Sequence, residues 1–150
     1  MIQVDMISEV IDLNKILIGL NPSEHGAQII FSGAVRNHNE GKKVLAVSYD
    51  AHQPLAKSIF QQMSEEAQTK WGPDLSIYMV HRLGRLDVGE VSIVIIVSSR
   101  HRDASFQASR YLIEQLKIRA PIWKKEHYAE GDSEWLQGHA LAEQKPNTKE

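Results

Sequence analysis

Residues 91 to 97 read VSIVIIV, a nearly continuous apolar, β-branched run. Successive side chains of a strand point to opposite faces, so a run with no polar face needs cover on both sides. The segment is therefore expected to be a central strand, and the rest of the chain must supply the layers around it. At 150 residues the chain suits one domain with a real core and is short for two. A hydrophobic share of 42% and a charged share of 24% are those of an ordinary globular protein.

Periodicity assigns the remaining elements. Ile2, Val4 and Met6 alternate as a short strand. Ser8 is read as the cap of a helix over 9 to 19, with Val10, Leu13, Ile16 and Leu17 as its stripe. Residues 26 to 35 and 44 to 52 read as strands joined by a polar loop, and a hairpin between them is expected. Leu55, Ile59, Met63 and Ala67 recur every four residues in a helix from Pro54 to Trp71. Residues 75 to 83 form another apolar run, followed by a connection over 84 to 90. Asp103 is read as the cap of a helix reaching about Ile118, whose buried row is Ala104, Ala108, Leu112 and Leu116. A last strand spans 122 to 128, and Gly131-Asp132-Ser133 is a turn. Hairpins between helices favour an α+β fold over a doubly wound sheet. Residues 1 to 141 are expected as a single domain, and 142 to 150 as a polar, frayed tail.

Composition narrows the function. The chain has no cysteine, which excludes disulfides, thiolate metal sites and any persulfide carried on this chain. The net charge of −2 and pI near 6.4 argue against gripping a nucleic-acid backbone, so no nucleic-acid partner is expected. The N-terminal stretch has no basic region before an apolar run, and nothing approaches the roughly 18 apolar residues that span a bilayer. A cytoplasmic protein without a membrane partner is the expectation.

Three constellations carry chemistry. Arg36-Asn37-His38-Asn39 offers a guanidinium, an imidazole and two amides beside a glycine-bearing turn, suited to a phosphate or heterocycle. The plain alternative is a solvated loop that uses asparagine for its geometry. Arg100-His101-Arg102-Asp103 follows the central strand and precedes a helix, where free N–H groups favour anions. There the plain alternative is a helix cap flanked by solvated arginines.

In LKIRAPIWKKE, residues 116 to 126, Lys117, Arg119, Lys124 and Lys125 surround Pro121. The proline ends the helix, leaving Lys117 on its last turn. Lys124 and Lys125 then point to opposite faces of the following strand, and one of them can meet Lys117 across the bend. Neighbouring cations lower a lysine's pKa and suit it to proton transfer. Otherwise these cations simply complement the helix dipole, with Glu114 pairing Lys117. The histidines lack metal-ligand spacing, so no metal is expected. Ser98-Ser99 lacks a nucleophile elbow.

Four segments, FSGAVRNHNEG (31 to 41), HRLGRLDVGE (81 to 90), RHRDASF (100 to 106) and LKIRAPIWKKE (116 to 126), together resemble the large, catalytic subunit of molybdopterin synthase. They stand in the family's order and extend the likeness from about Gly26 to Trp135. The resemblance implies an α/β-hammerhead fold with an additional antiparallel β subdomain. It also implies a central homodimer with a small ubiquitin-like sulfur-carrier subunit at each end, a heterotetramer overall. The implied reaction turns cyclic pyranopterin monophosphate into molybdopterin. Two sulfurs arrive as thiocarboxylate on the carrier's C-terminal glycine, so no cysteine or other cofactor is needed here.

By motif position Lys117 and Lys124 match the family's catalytic lysines. Arg36, His101 and Arg102 match residues lining the pterin-phosphate pocket, some reaching it from the neighbouring protomer. Asn37, His38, Arg119 and Lys125 are further candidates within the same motifs. A basic position that some relatives contribute across the dimer falls at His139. Two rival classes remain on sequence: a non-catalytic binding module for a ubiquitin-like protein, and an RNA- or nucleotide-binding domain resting on the local cations alone.

Overall fold

The apolar run is strand β7 (Val91–Ser99), buried at every position after the first. It lies inside a four-stranded sheet with β1 (Ile2–Ile7), β5 (Ser76–Arg82) and β2 (Ala27–Ala34), in the order β1-β5-β7-β2. β1 and β5 are parallel, and the other two pairings are antiparallel. The computed structural model describes residues 1–17 and 22–137. One sheet face is covered by α2 (Gln53–Trp71) and α3 (Arg102–Arg119). Phe60, Met63 and Ala67 of α2 and Ala108, Leu112 and Leu116 of α3 pack with Ile77, Met79, Ile95 and Val97. The opposite face packs Val80, Val94 and Ile96 against Ile11 and the short helix α1 (Leu13–Leu17). The two-sided cover required by the apolar run is thus present, in an α+β architecture.

A second, antiparallel sheet is built on β4 (Lys42–Ala51) and β8 (Ile122–Tyr128). The short strands β3 (His38–Asn39) and β6 (Gly84–Asp87) pair with β4, while β9 (Gly131–Asp132) and β10 (Leu136–Gln137) pair with β8. The chain passes from the first sheet to the second at Gly84, whose φ of 96° is a conformation that costs glycine little.

Several local expectations change. The strands over 26 to 35 and 44 to 52 do not form a hairpin. β2 pairs with β7 in the first sheet, and β4 belongs to the second. Alternation gives a strand its faces but does not name its partner. The connection over 84 to 90 contains β6, registered from Tyr49↔Gly84 to Ala46↔Asp87. The first helix covers only Leu13–Leu17 within the described residues. Asp12, not Ser8, caps it, accepting from the Lys15 N–H at 3.2 Å, and Val10 lies exposed outside the helix. His101 is the N-cap residue of α3 and makes no side-chain cap bond, while Asp103 accepts from the Gln107 amide at 2.8 Å. The Gly131-Asp132-Ser133 turn holds strand β9.

Candidate active site

Strand direction sorts the sequence-derived cations into two groups. β2 and β7 are antiparallel, with Ala27 opposite Ser99 and Ala34 opposite Val91. Arg36, just past the end of β2, therefore lies by the start of β7, and two backbone bonds hold it there. Val35 N–H donates to the Glu90 carbonyl at 3.0 Å, and Gly89 N–H to the Val35 carbonyl at 2.8 Å. His101 and Arg102 follow the other end of β7, roughly 26 Å away at about 3.3 Å per residue. α3 then runs back over the sheet and carries Lys117, in its last turn, to the Arg36 end. Topology thus sets Arg36 and the end of α3 toward one end of the sheet, and His101 and Arg102 at the other.

Lys124 joins the first group through β4. It stands directly across from Tyr49, with both side chains on one face of the second sheet, whereas Lys125 stands across from Ser48 on the other face. Lys125 instead lies over the Trp135 ring, 5.9 Å from its centroid. Tyr49 packs edge-on against His81, with centroids 4.9 Å apart. The Ser92 hydroxyl donates to the Gly33 carbonyl at 3.3 Å. Burial pushes the His81 imidazole down to about 4. The Lys117 charge acts in the same direction, against the hydrogen bond to the Arg82 carbonyl. Lys124 thus stands across from the half-buried Tyr49, and the charge of Lys117 is felt at the buried His81.

Glu126 shares the face of Lys124, two residues along the strand. It is only 4% exposed, and its Oε2 has no hydrogen-bond partner among the described residues. Burial, and secondarily the Glu126 charge, raise the Tyr49 phenol above its ordinary value. His81, Tyr49 and Glu126 were not singled out from sequence. Alternation from Lys124 was a sufficient signal for Glu126, but nothing local placed Tyr49 against His81.

The remaining candidates have other surroundings. Asn37 and His38 are exposed and bonded to each other, Asn37 Oδ1 to His38 Nδ1 at 2.9 Å. Arg119 grips Glu66 with two nitrogens at 2.7 and 3.1 Å, and Tyr111 donates to the same carboxylate. Glu114 pairs with Arg110 at 3.9 Å. His139 lies outside the described residues. A groove of about 400 Å³ between β2 and α3, lined by Ile29, Phe31, Phe106 and Ile113, contains neither lysine. Ser48, His127 and Asp132 form a hydrogen-bonded row, at 2.7 and 3.1 Å, in the order of a hydrolase triad. β4 is paired on both edges at Ser48, which leaves no free N–H pair for an oxyanion, and the row ties β9 to β4.

An α+β domain with a lysine at a helix end, another on the adjoining strand and an arginine just past a strand end has groups suited to an anionic substrate. The family model described as MoaE protein matches residues 6–119. The molybdopterin synthase catalytic subunit of Synechococcus elongatus is 43% identical over 121 residues, covering 81% of this chain and 73% of that protein. The solved molybdopterin synthase from Staphylococcus aureus superposes with a TM-score of 0.82 at 33% identity, covering 87% of this chain and 94% of that one. A protein–protein complex of subunits 1 and 2 of the molybdopterin-converting factor from Helicobacter pylori shares the fold, with a TM-score of 0.70 and 22% identity over 86% of this chain and 87% of that one. The chain belongs to the MoaE family of molybdopterin synthase catalytic subunits, sulfurtransferases of molybdenum cofactor biosynthesis.

Proposed function

We propose that this chain converts cyclic pyranopterin monophosphate to molybdopterin, with Lys117 and Lys124 as its catalytic residues. The observation that carries the reading is the approach of both lysines to the Tyr49–His81 pair, one from α3 and one from β8. The sulfur donor is the thiocarboxylated C-terminal glycine of a small ubiquitin-like carrier. That donor matches a chain without cysteine, and the two-subunit complex from Helicobacter pylori supports a small partner. Arginine binds phosphate by paired charge-assisted hydrogen bonds, the role given to Arg36 and Arg102, with His101 beside them. A lysine handles the protons as each sulfur adds and the cyclic phosphate opens. Asn37 and His38 extend the polar wall beside Arg36.

The distance between the two cationic groups gives the pocket its form. A single substrate cannot reach Arg36 and Arg102 of one chain across roughly 26 Å. We infer a homodimer in which His101 and Arg102 of one protomer complete the pocket built on Lys117, Lys124 and Arg36 of its partner. A carrier on each protomer makes the assembly a heterotetramer.

Reconstitution with thiocarboxylated carrier and cyclic pyranopterin monophosphate tests the assignment. Lys117→Ala is expected to abolish dithiolene formation, and an unchanged rate refutes the catalytic role. Calorimetry with each ligand separately distinguishes a non-catalytic adaptor, which would bind carrier but no pterin.

A further inference from the structure

Arg36 is an exposed side chain on a fixed backbone. Val35 before it is buried with Val44, Val47 and Leu86, and both of its backbone polar groups are taken. Its N–H donates to the Glu90 carbonyl at 3.0 Å, and its carbonyl accepts from the Gly89 N–H at 2.8 Å. On the other side, the Asn37 carbonyl accepts from the Val44 N–H at 2.9 Å. A bulge helps to aim the segment. Gly33 stands across from Ile93 and Ala34 across from Val91, which leaves Ser92 as an extra residue in β7.

The turn over 87 to 90, which receives Val35, contains a glycine at φ 89° and has little stiffness of its own. The Glu90 side chain closes it. One carboxylate oxygen accepts from the Asp87 N–H at 2.8 Å, and the Glu90 N–H donates back to the Asp87 carbonyl at 3.0 Å. The other oxygen accepts from Arg82 Nη1 at 2.7 Å, which ties the turn to the end of β5. The Arg82 side chain is 13% exposed and would be a poorly solvated cation without that carboxylate. The Arg82 hydrogen bond, followed by that of the Asp87 N–H, keeps the Glu90 carboxyl below its ordinary range, so it is ionised at neutral pH. A carboxylate accepts at both oxygens, whereas a glutamine amide would set its NH₂ against one of these two donors.

We propose that Glu90 and Arg82 are positioning residues for Arg36: their ion pair locks the turn over 87 to 90, and the backbone of that turn fixes where and in which direction Arg36 leaves β2. The proposal rests on the reading of Arg36 as a ligand of the substrate phosphate and adds two residues that act through it.

Amide hydrogen exchange reads the bracing without substrate. Glu90→Gln should speed exchange at Val35, Asp87 and Gly89 on the order of 10-fold or more, while Met79 and Ile95 in the same sheet as Val35's strand keep their rates. Reconstitution with thiocarboxylated carrier reads the consequence. Glu90→Gln should raise KM for cyclic pyranopterin monophosphate about 5- to 20-fold with kcat changed less than about twofold, because a displaced phosphate ligand weakens binding. Arg82→Met should do the same, and Arg82→Lys should recover part of the loss. The deciding measurement is a double-mutant cycle. In an Arg36→Ala background, Glu90→Gln should lower kcat/KM little further, since the guanidinium it positions is gone.

An equal loss of kcat/KM from Glu90→Gln with and without Arg36 overturns the proposal, as does unchanged exchange at Val35 and Gly89. Should Glu90→Gln not fold, Arg82→Met carries the same exchange measurement and the same cycle. If the unmodified protein makes no dithiolene, or Arg36→Ala keeps its full kcat/KM, the reading of the site falls, while exchange at Val35 and Gly89 still decides the bracing of Arg36.

Discussion

His81 gives the fold an acid sensitivity of definite sign. Its ordinary value of 6.5 is pushed down to about 4, so between those values the unfolded chain binds a proton that the native state refuses. Stability is then complete above about pH 6.5 and declines as pH falls toward 4, by on the order of 3 kcal/mol. Urea unfolding across that window should show the decline, and His81→Phe should flatten it. A decline of equal size in the variant would assign it to other groups. Gly33 is the second sensitive residue. A Cβ there would lie 2.8 Å from Ile93 Cγ2, at the carbonyl that receives Ser92. Gly33→Ala should cost about 1–3 kcal/mol, read as a lower Tm by calorimetry. Neither effect was legible in sequence, because each depends on a neighbour brought by a different strand. The opposite facing of Lys124 and Lys125 was legible, since alternation is a local property of the backbone.

Among the elements, the end of α3 is the best secured. Arg119 holds Glu66 of α2 through two bonds, and Tyr111 donates to the same carboxylate at 2.6 Å. The Arg119 hydrogen bond, followed by that of Tyr111, keeps the Glu66 carboxyl below its ordinary range. Its contribution is present above the ordinary value of 4.5 and is lost as pH falls through the lowered one. Glu66 is about one-third exposed, so solvent screens the pair. A double-mutant cycle of Glu66→Gln and Arg119→Met should give a coupling of about 0.5–1 kcal/mol at neutral pH that shrinks with salt. A coupling independent of salt would point to packing instead. Both long helices could be read from apolar residues at four-residue spacing, because burial on one face writes that period into the chain. The failed hairpin and the unseen β6 have a common cause. Residues 27 to 34 and 42 to 51 both alternate, and nothing in that pattern says that one pairs with β7 and the other with β8.

At the scale of the whole molecule, the separation of the cations makes a sharp prediction for mixed assemblies. Lys117→Ala and Arg102→Ala should each be inactive in turnover. If each pocket takes Lys117 from one protomer and Arg102 from the other, a mixed dimer holds one doubly altered pocket and one intact pocket. Random mixing should then restore roughly a quarter of the original sites. No recovery on mixing would mean that each pocket draws both residues from the same chain. The four ordered motifs had already pointed to the family, and topology supplied what motifs cannot, the distance between two of them. α3 sets that distance. Its 18 residues place Arg102 and Lys117 at opposite ends of a rod about 27 Å long. One residue inserted into that rod would advance Lys117 by about 1.5 Å and turn it by roughly 100° from its present direction. On the proposed pocket the helix is a ruler whose length is part of the chemistry, so α3 should tolerate exchange of its exposed side chains far better than any change in their number.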